Sequence, residues 1–272
     1  LQCCAPRAVN AEEYEIMSTS LKSLLSKAFA AAAIALPLAA QAYVLGPTSP
    51  GKWGDPTMGT AATITYSFMP TGTSCADEGA GCTITALGDA GFGPAFSVWK
   101  AEIEAAMAAW SAVAGLTFVE VADQGEAFNA ATQLSGDLRF GGHFFDGAFN
   151  VLAHGFFPPN NGDSAAGDMH FDTGDCWEAA QDGTADGCFS IFQVTAHELG
   201  HALGLSHTAV PNSLMNPFYS EAFSGPQADD IAGMQALYGE AATNPNPAPE
   251  PFSLALVGLG LVAAGVTRRR RA

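Results

Sequence analysis

Four residues in the segment HELGHALGLSH, namely His197, Glu198, His201 and His207, have the types and spacing to do chemistry. Positions four apart on a helix share a face, so His197 and His201 would present two imidazoles to one metal ion, with Glu198 beside any water bound there. Gly204 has the backbone freedom to turn the chain sharply and return His207 as a third ligand. Three neutral imidazoles leave a zinc ion its full charge and an open position, so water there becomes a nucleophile near neutral pH. Glu198 would accept that water's proton as it attacks a carbonyl, then deliver the proton to the leaving group. Paired histidines are common on helices for no chemical reason, but the full H-E-x-x-H-x-x-G-x-x-H pattern is far more restrictive.

The elements that must position these residues are legible from periodicity. Ser190 to Leu205 is expected as the helix that carries the motif. A helix over Phe96 to Ala114 places Trp99, Ile103, Met107 and Trp110 on one face, and a third helix, opened by Gly225-Pro226, runs from Gln227 to Tyr238. Strands are expected at Thr63 to Phe68, Leu116 to Val121, Asp137 to Phe140, Val151 to Phe156 and Met169 to Phe171. The order helix, strands, helix, helix predicts an α+β domain around a twisted mixed sheet.

The chain has 272 residues, a net charge of −17, 48% hydrophobic and only 14% charged residues. This composition excludes a disordered chain, which needs low hydrophobicity with high net charge, and a nucleic-acid-binding domain, which needs clustered Lys and Arg. From Met17 the chain reads as a secretory signal peptide, with Lys22 and Lys27 before the apolar run Ala28 to Ala40 and cleavage expected after Ala42. Residues 1–16, with Cys3 and Cys4, then read as a mis-called start. Residues 43–243 form the expected mature domain, a soluble monomer. Its three cations, Lys52, Lys100 and Arg139, face a large acidic excess that serves solubility or binds hard cations such as calcium. Its four cysteines favour two local disulfides, Cys75 with Cys82 and Cys176 with Cys188, although three pairings exist. A Pro-rich linker (244–251) leads to an apolar segment (252–267) and a basic tail (268–272). Sixteen apolar residues span about 24 Å, short of a hydrocarbon core of about 30 Å. The segment reads either as a short membrane anchor or, with Pro249-Glu250-Pro251 before it, as a sorting signal that resembles the PEP-CTERM type. That resemblance implies exosortase-type sorting machinery as a partner, and a secreted or outer-surface location in a Gram-negative bacterium.

With the zinc motif in hand, the domain resembles the metzincin peptidases, and among them the matrixins (matrix metalloproteases). Ser213-Leu214-Met215-Asn216-Pro217 is similar to their Met-turn, with Met215 eight residues after His207. Pro217-Phe218-Tyr219 resembles the outer wall of the pocket for the side chain that follows the cut bond. Further matches are Lys52-Trp53, Leu116-Thr117-Phe118, Gln227-Ala228-Asp229-Asp230-Ile231 and Leu237-Tyr238-Gly239, so the likeness runs from about residue 50 to 240. It implies a five-stranded, mainly parallel sheet with three helices, a peptide or protein substrate, and Met215 as a floor beneath the metal. The cleft edge implied is the Val151 to Gly155 strand, against which an extended substrate would pair. It also implies calcium held by Asp146, the carbonyls of Gly147, Phe149 and Val151, and Asp172 and Asp175. Asp137 and Asp168 match a further calcium site.

His154 and His170 match two ligands of the family's structural zinc, and His143 could be a third. The family's additional H-x-D pair is replaced here by His143-Phe144-Phe145-Asp146, which leaves a fourth ligand missing unless water or a displaced carboxylate completes the site. Histidines hydrogen-bonded in a core are the alternative. The cysteine of the family's inhibitory propeptide has no counterpart, so no cysteine switch is expected. A catalytically silent matrix-binding protein on the same scaffold would need damage to Glu198 or a zinc ligand, and none is visible.

Overall fold

A computed structural model describes residues 43–130, 134–159, 165–181 and 187–242. The expected signal peptide, the residues before it, and the C-terminal linker, apolar segment and basic tail lie outside the described residues.

The central sheet has the order β3-β2-β4-β6-β5, built from β2 (Ala62–Phe68), β3 (Leu116–Glu120), β4 (Leu138–His143), β5 (Ala153–Gly155) and β6 (Met169–Asp172). Three pairings are parallel and β5 runs antiparallel at the edge, which is the mixed, mainly parallel five-stranded sheet of a metzincin-like α+β fold. Three helices accompany it: α1 (Phe96–Ser111), α2 (Ile191–Ala202) and α3 (Ala228–Tyr238). The apolar stripe of α1 is the core face, with Trp99, Ile103, Met107 and Trp110 all buried. The Trp110 indole donates to the Ala196 carbonyl of α2 at 3.0 Å, which fixes the two helices side by side.

Several expected boundaries shift. Helix α1 ends at Ser111, three residues early, and β5 keeps only three of the six residues expected, because the loop before it wraps around two aspartates. Strand β4 instead continues to His143. Helix α2 starts after Ser190, whose hydroxyl accepts from the Gln193 amide, and stops at Ala202, because Gly204 takes a φ of +112°. The open carbonyls at that end are met from far along the chain. The Trp53 indole donates to Ala202 O at 2.7 Å, and the Tyr238 hydroxyl donates to Leu203 O at 2.9 Å.

Two small ladders had no sequence signal. In one, β1 (Val44–Leu45) pairs antiparallel with β9 (Leu205–Ser206), so the N-terminal segment lies along the turn that follows α2. In the other, β7 (Cys176–Glu178) pairs with β8 (Cys188–Ser190) beside the disulfide Cys176–Cys188. The other disulfide is Cys75–Cys82, so both local pairings are formed. It closes a hairpin that lies across β4 through mutual bonds between Thr85 and Gly142 (2.7 and 3.1 Å). Glycine is required at the neighbouring Gly141, where a Cβ would sit 2.6 Å from the Ile84 side chain. A second small core of Met69, Cys75, Ile84, Phe128 and Ala165 supports the hairpin.

Candidate metal centre

His197 and His201 project from one face of α2, as the four-residue spacing requires. Beyond Ala202 the left-handed Gly204 reverses the chain, and β9 delivers His207 to the same point. Alanine at residue 204 would place its Cβ 2.2 Å from Gly51 O, so the turn and the N-terminal segment are fitted to each other. The Nε2 atoms of His197 and His201 lie 3.2 and 3.1 Å from His207 Nε2. Ligands of a tetrahedral zinc with bonds of about 2.0–2.1 Å lie about 3.3–3.4 Å apart, so both separations suit a shared ion, and all three ligand nitrogens lie within 4.8 Å of one another. The opposite ring nitrogens fix the tautomer: Nδ1 of His197 faces Leu214 O at 2.6 Å and Nδ1 of His201 faces Leu205 O at 2.8 Å. With the proton on Nδ1, each Nε2 turns its lone pair to the shared point. Burial depresses the basicity of both rings, to about 4 for His197 and about 3 for His201, and lowers His207 as well, so all three are neutral donors at pH 7.

Glu198, one residue along the same helix, is buried, and its carboxyl is pushed up to about 8 by burial, against the opposing pull of the Gly155 backbone amide. Strand β5 passes so close that a Cβ on Gly155 would lie 2.8 Å from Glu198 O. Met215 is buried against the same helix: a Cβ on Gly200 would fall 2.2 Å from its sulfur. The turn carrying Met215 is tied down by Asp230 of α3, whose carboxylate accepts from the Ser213 hydroxyl (2.6 Å) and the Leu214 and Met215 amides (2.8 and 3.1 Å). Leu214 thus links Asp230 through its amide to His197 through its carbonyl. The sequence marks Asp230 only as part of a helix-opening segment, and its role as an anchor becomes visible only in the fold.

A cleft of about 420 Å³ opens beside the three histidines, lined by Glu198, Val194, Phe189, Leu214 and Tyr219, with Phe149, Val151 and Pro217 also on its walls. Tyr219 is held by two bonds: its hydroxyl accepts from the Ser190 amide at 2.8 Å and donates to Glu221. Its ring meets Phe189 edge to face at 5.2 Å.

The remaining histidines form a second cluster. His154 is the cross-strand partner of His170, whose partner on β4 is Gly141, two residues before His143, so the three imidazoles share a face of the sheet. Glu78 completes the group. One of its oxygens is 2.6 Å from His143 Nε2, the other is 2.6 Å from His170 Nδ1, and His154 Nε2 lies 3.3 Å from the carboxylate. All four donors lie within 4.8 Å of one another. Burial pushes the Glu78 carboxyl up, but hydrogen bonds from the three rings outweigh it and hold the group well below the usual carboxylate range. Sequence reasoning missed Glu78; the available signal was an acidic pair enclosed by two cysteines in CADEGAGC.

The expected calcium ligands are only partly gathered. The Asp172 carboxylate accepts from the amides of Phe145, Asp146, Gly147 and Gly174, Asp175 Oδ1 accepts from Phe149, and Asp146 Oδ1 accepts from Val151. Their oxygens therefore meet backbone N–H groups, while Asp175 Oδ2 is buried without a hydrogen-bond partner. Burial and the charges of Asp172 and Asp146 raise the Asp175 carboxyl. Asp137 and Asp168, the further calcium site that the resemblance implies, have different neighbours in the structure. Asp137 Oδ2 accepts from the Thr65 amide and hydroxyl (2.8 and 2.7 Å), whereas Asp168 Oδ2 lies 3.8 Å from the Arg139 guanidinium. Both Asp168 oxygens are buried without a hydrogen-bond partner, and burial raises the carboxyl well above its ordinary value despite Arg139.

The chain is 39% identical over 149 residues to mouse matrix metalloproteinase-25, covering 53% of this chain and 24% of that protein. It is 40% identical over 142 residues to human matrix metalloproteinase-20, covering 50% of this chain and 27% of that protein. The hatching enzyme of Paracentrotus lividus matches at 40% over 148 residues, 52% of this chain and 22% of that protein. The chain thus spans about a quarter of the length of these curated relatives. The matrixin family model matches residues 95–239, which include α1, the three-histidine site, the Met215 turn and α3, and the chain therefore belongs to the matrixin family.

Proposed function

We propose that the chain is a zinc-dependent endopeptidase acting on extended peptides. The observation that carries this is the convergence of the three imidazoles, with His197 and His201 Nε2 at 3.2 and 3.1 Å from His207 Nε2 and each α2 ring locked by a carbonyl on its far side. When bound, zinc supplies Lewis acidity, which favours hydroxide as a nucleophile and stabilises negative charge on the scissile oxygen. Glu198 is the proton carrier: its carboxylate takes a proton from the attacking water and gives it to the departing amine nitrogen. Burial, which raises its proton affinity, suits it to hold that proton between the two steps. The free edge of β5 offers backbone groups to an extended peptide, and the Phe189–Tyr219 pocket takes an apolar side chain.

The same reading includes a secreted or outer-surface location reached through residues 17–42, C-terminal processing by exosortase-type machinery, and calcium at the Asp172–Asp175 loop, where a buried carboxylate oxygen is available. It also includes a structural zinc at His143, His154 and His170. No helix among the described residues is long and apolar enough to cross a membrane. The test is zinc content of the full chain together with a peptide-library digest, with and without chelator. Glu198→Ala should keep zinc and lose turnover by about 10²- to 10⁴-fold. Near-normal cleavage by the zinc-loaded variant refutes the assignment.

A further inference from the structure

The disulfide hairpin between β2 and α1 lies upstream of the segment that the family model matches, yet it carries a charged side chain into the second histidine cluster. We propose that Glu78 is the fourth ligand of a zinc site with His143, His154 and His170, and that the Cys75–Cys82 disulfide holds it in place as a clasp. This rests on the structural zinc included in the function proposed above.

Three observations support it. The donor set is that of a closed site, three imidazole nitrogens and a carboxylate: the His154–His170 and His154–Glu78 separations of 3.3 Å match the edge of a zinc tetrahedron, about 3.3–3.4 Å, while the His143–Glu78 and His170–Glu78 contacts of 2.6 Å are hydrogen bonds that would have to open by about 0.7 Å around an ion. His154 Nε2 and His170 Nδ1 face one another and also face Glu78, so several lone pairs meet where at most a few protons are available to separate them; a cation satisfies all of them at once. Finally, the presentation of Glu78 is built. Its amide donates to Cys75 O at 2.9 Å, Cys75 and Cys82 are bonded through their backbones as well as their sulfurs, and the hairpin is docked on β4 one residue from His143. In a flexible loop the same carboxylate would lose conformational entropy on ligation; the short covalent ring removes most of that loss beforehand.

The sulfurs themselves could compete. Cys75, Cys82 and His143 also lie within 4.8 Å of one another, so chemical reduction would create two thiols beside the site and confuse the result. Serine substitutions avoid this. The full chain is equilibrated at a buffered free zinc concentration, zinc per chain is counted by elemental analysis, and affinity is measured by competition with a chromogenic chelator. Wild type should hold two zincs, and Glu78→Ala and His201→Ala one each. Cys75→Ser/Cys82→Ser, which keeps all four ligands, should bind the second zinc about 10- to 100-fold more weakly. Circular dichroism checks that each variant folds, and Glu78→Gln, which keeps the shape without the charge, serves if Glu78→Ala does not. Two zincs held at wild-type affinity by both Glu78 variants would overturn the ligand assignment and leave a three-histidine site standing. Unchanged affinity in the double serine variant would overturn the clasp. One zinc in wild type and none in His201→Ala would remove the second site altogether while sparing the catalytic one.

Discussion

Asp230→Ala should unsettle both the fold and the metal centre, although residue 230 touches neither metal nor cleft. Its buried carboxylate accepts four bonds, from the Ser213 hydroxyl and the amides of Leu214, Met215 and Gln227, at 2.6–3.1 Å. Bonds to a charged acceptor are worth about 1.5–3 kcal/mol each. The sum overstates the effect, because truncation also removes the penalty of burying the charge. Breaking a buried charged group away from its partners typically costs about 3–5 kcal/mol, a large part of a domain's stability. The same change frees Leu214, whose carbonyl orients the His197 ring, and loss of such support typically weakens metal binding about 10- to 100-fold. Urea unfolding of the zinc-loaded full chain and zinc competition with a chelator measure the two effects. Asp230→Asn, which keeps one acceptor, should fall between. An unchanged urea midpoint, or zinc affinity within about twofold of wild type, would refute the linkage from α3 to His197.

Gly204→Ala forces a side chain into a left-handed backbone and onto Gly51 O. Strain of about 1–2 kcal/mol and a clash of about 1–3 kcal/mol should lower the melting temperature by roughly 5–15 °C and weaken zinc binding through His207; a scan within 2 °C or so of wild type contradicts this. Glu198→Gln should stabilise the metal-free chain increasingly as pH rises. The native carboxyl titrates near 8 and the unfolded one near 4.5, so between those values the native state holds a proton the unfolded chain has lost, and wild type loses stability with rising pH while the Gln variant does not. The gain should approach about 4 kcal/mol by pH 8, and a difference independent of pH would show that Glu198 is not desolvated as described.

The catalytic motif was legible because its spacing is a local property. One helical period places His197 and His201, one glycine returns His207, and none of the three depends on knowing the sheet. The apolar stripe of α1 was legible for the same reason. Contacts made through register were not. Glu78 and His143 are 65 residues apart and meet only because a hairpin docks at Gly142. Asp146, the carboxylate nearest to His143 in sequence, accepts from Val151 in its own loop. The neighbours of Asp137 and Asp168, Thr65 and Arg139 respectively, are likewise set by how the strands pair and not by local spacing. Strand β1 escaped notice because its two residues carry no periodicity and are defined by the turn they cover.

Strand β5 is three residues long, lies at the sheet edge, and is followed closely by Pro158 and Pro159, which lack the amide hydrogen that pairing requires. A neighbour therefore finds only a short run of backbone to join, too little to recruit the sheet of a second copy but enough for a single threaded strand. Most segments of a folded protein already have their backbone bonds satisfied, so they cannot be threaded. Under the endopeptidase function proposed above, a cleft with this edge would sort its clients by local unfolding before any side chain is read, favouring loosened loops over intact folded segments.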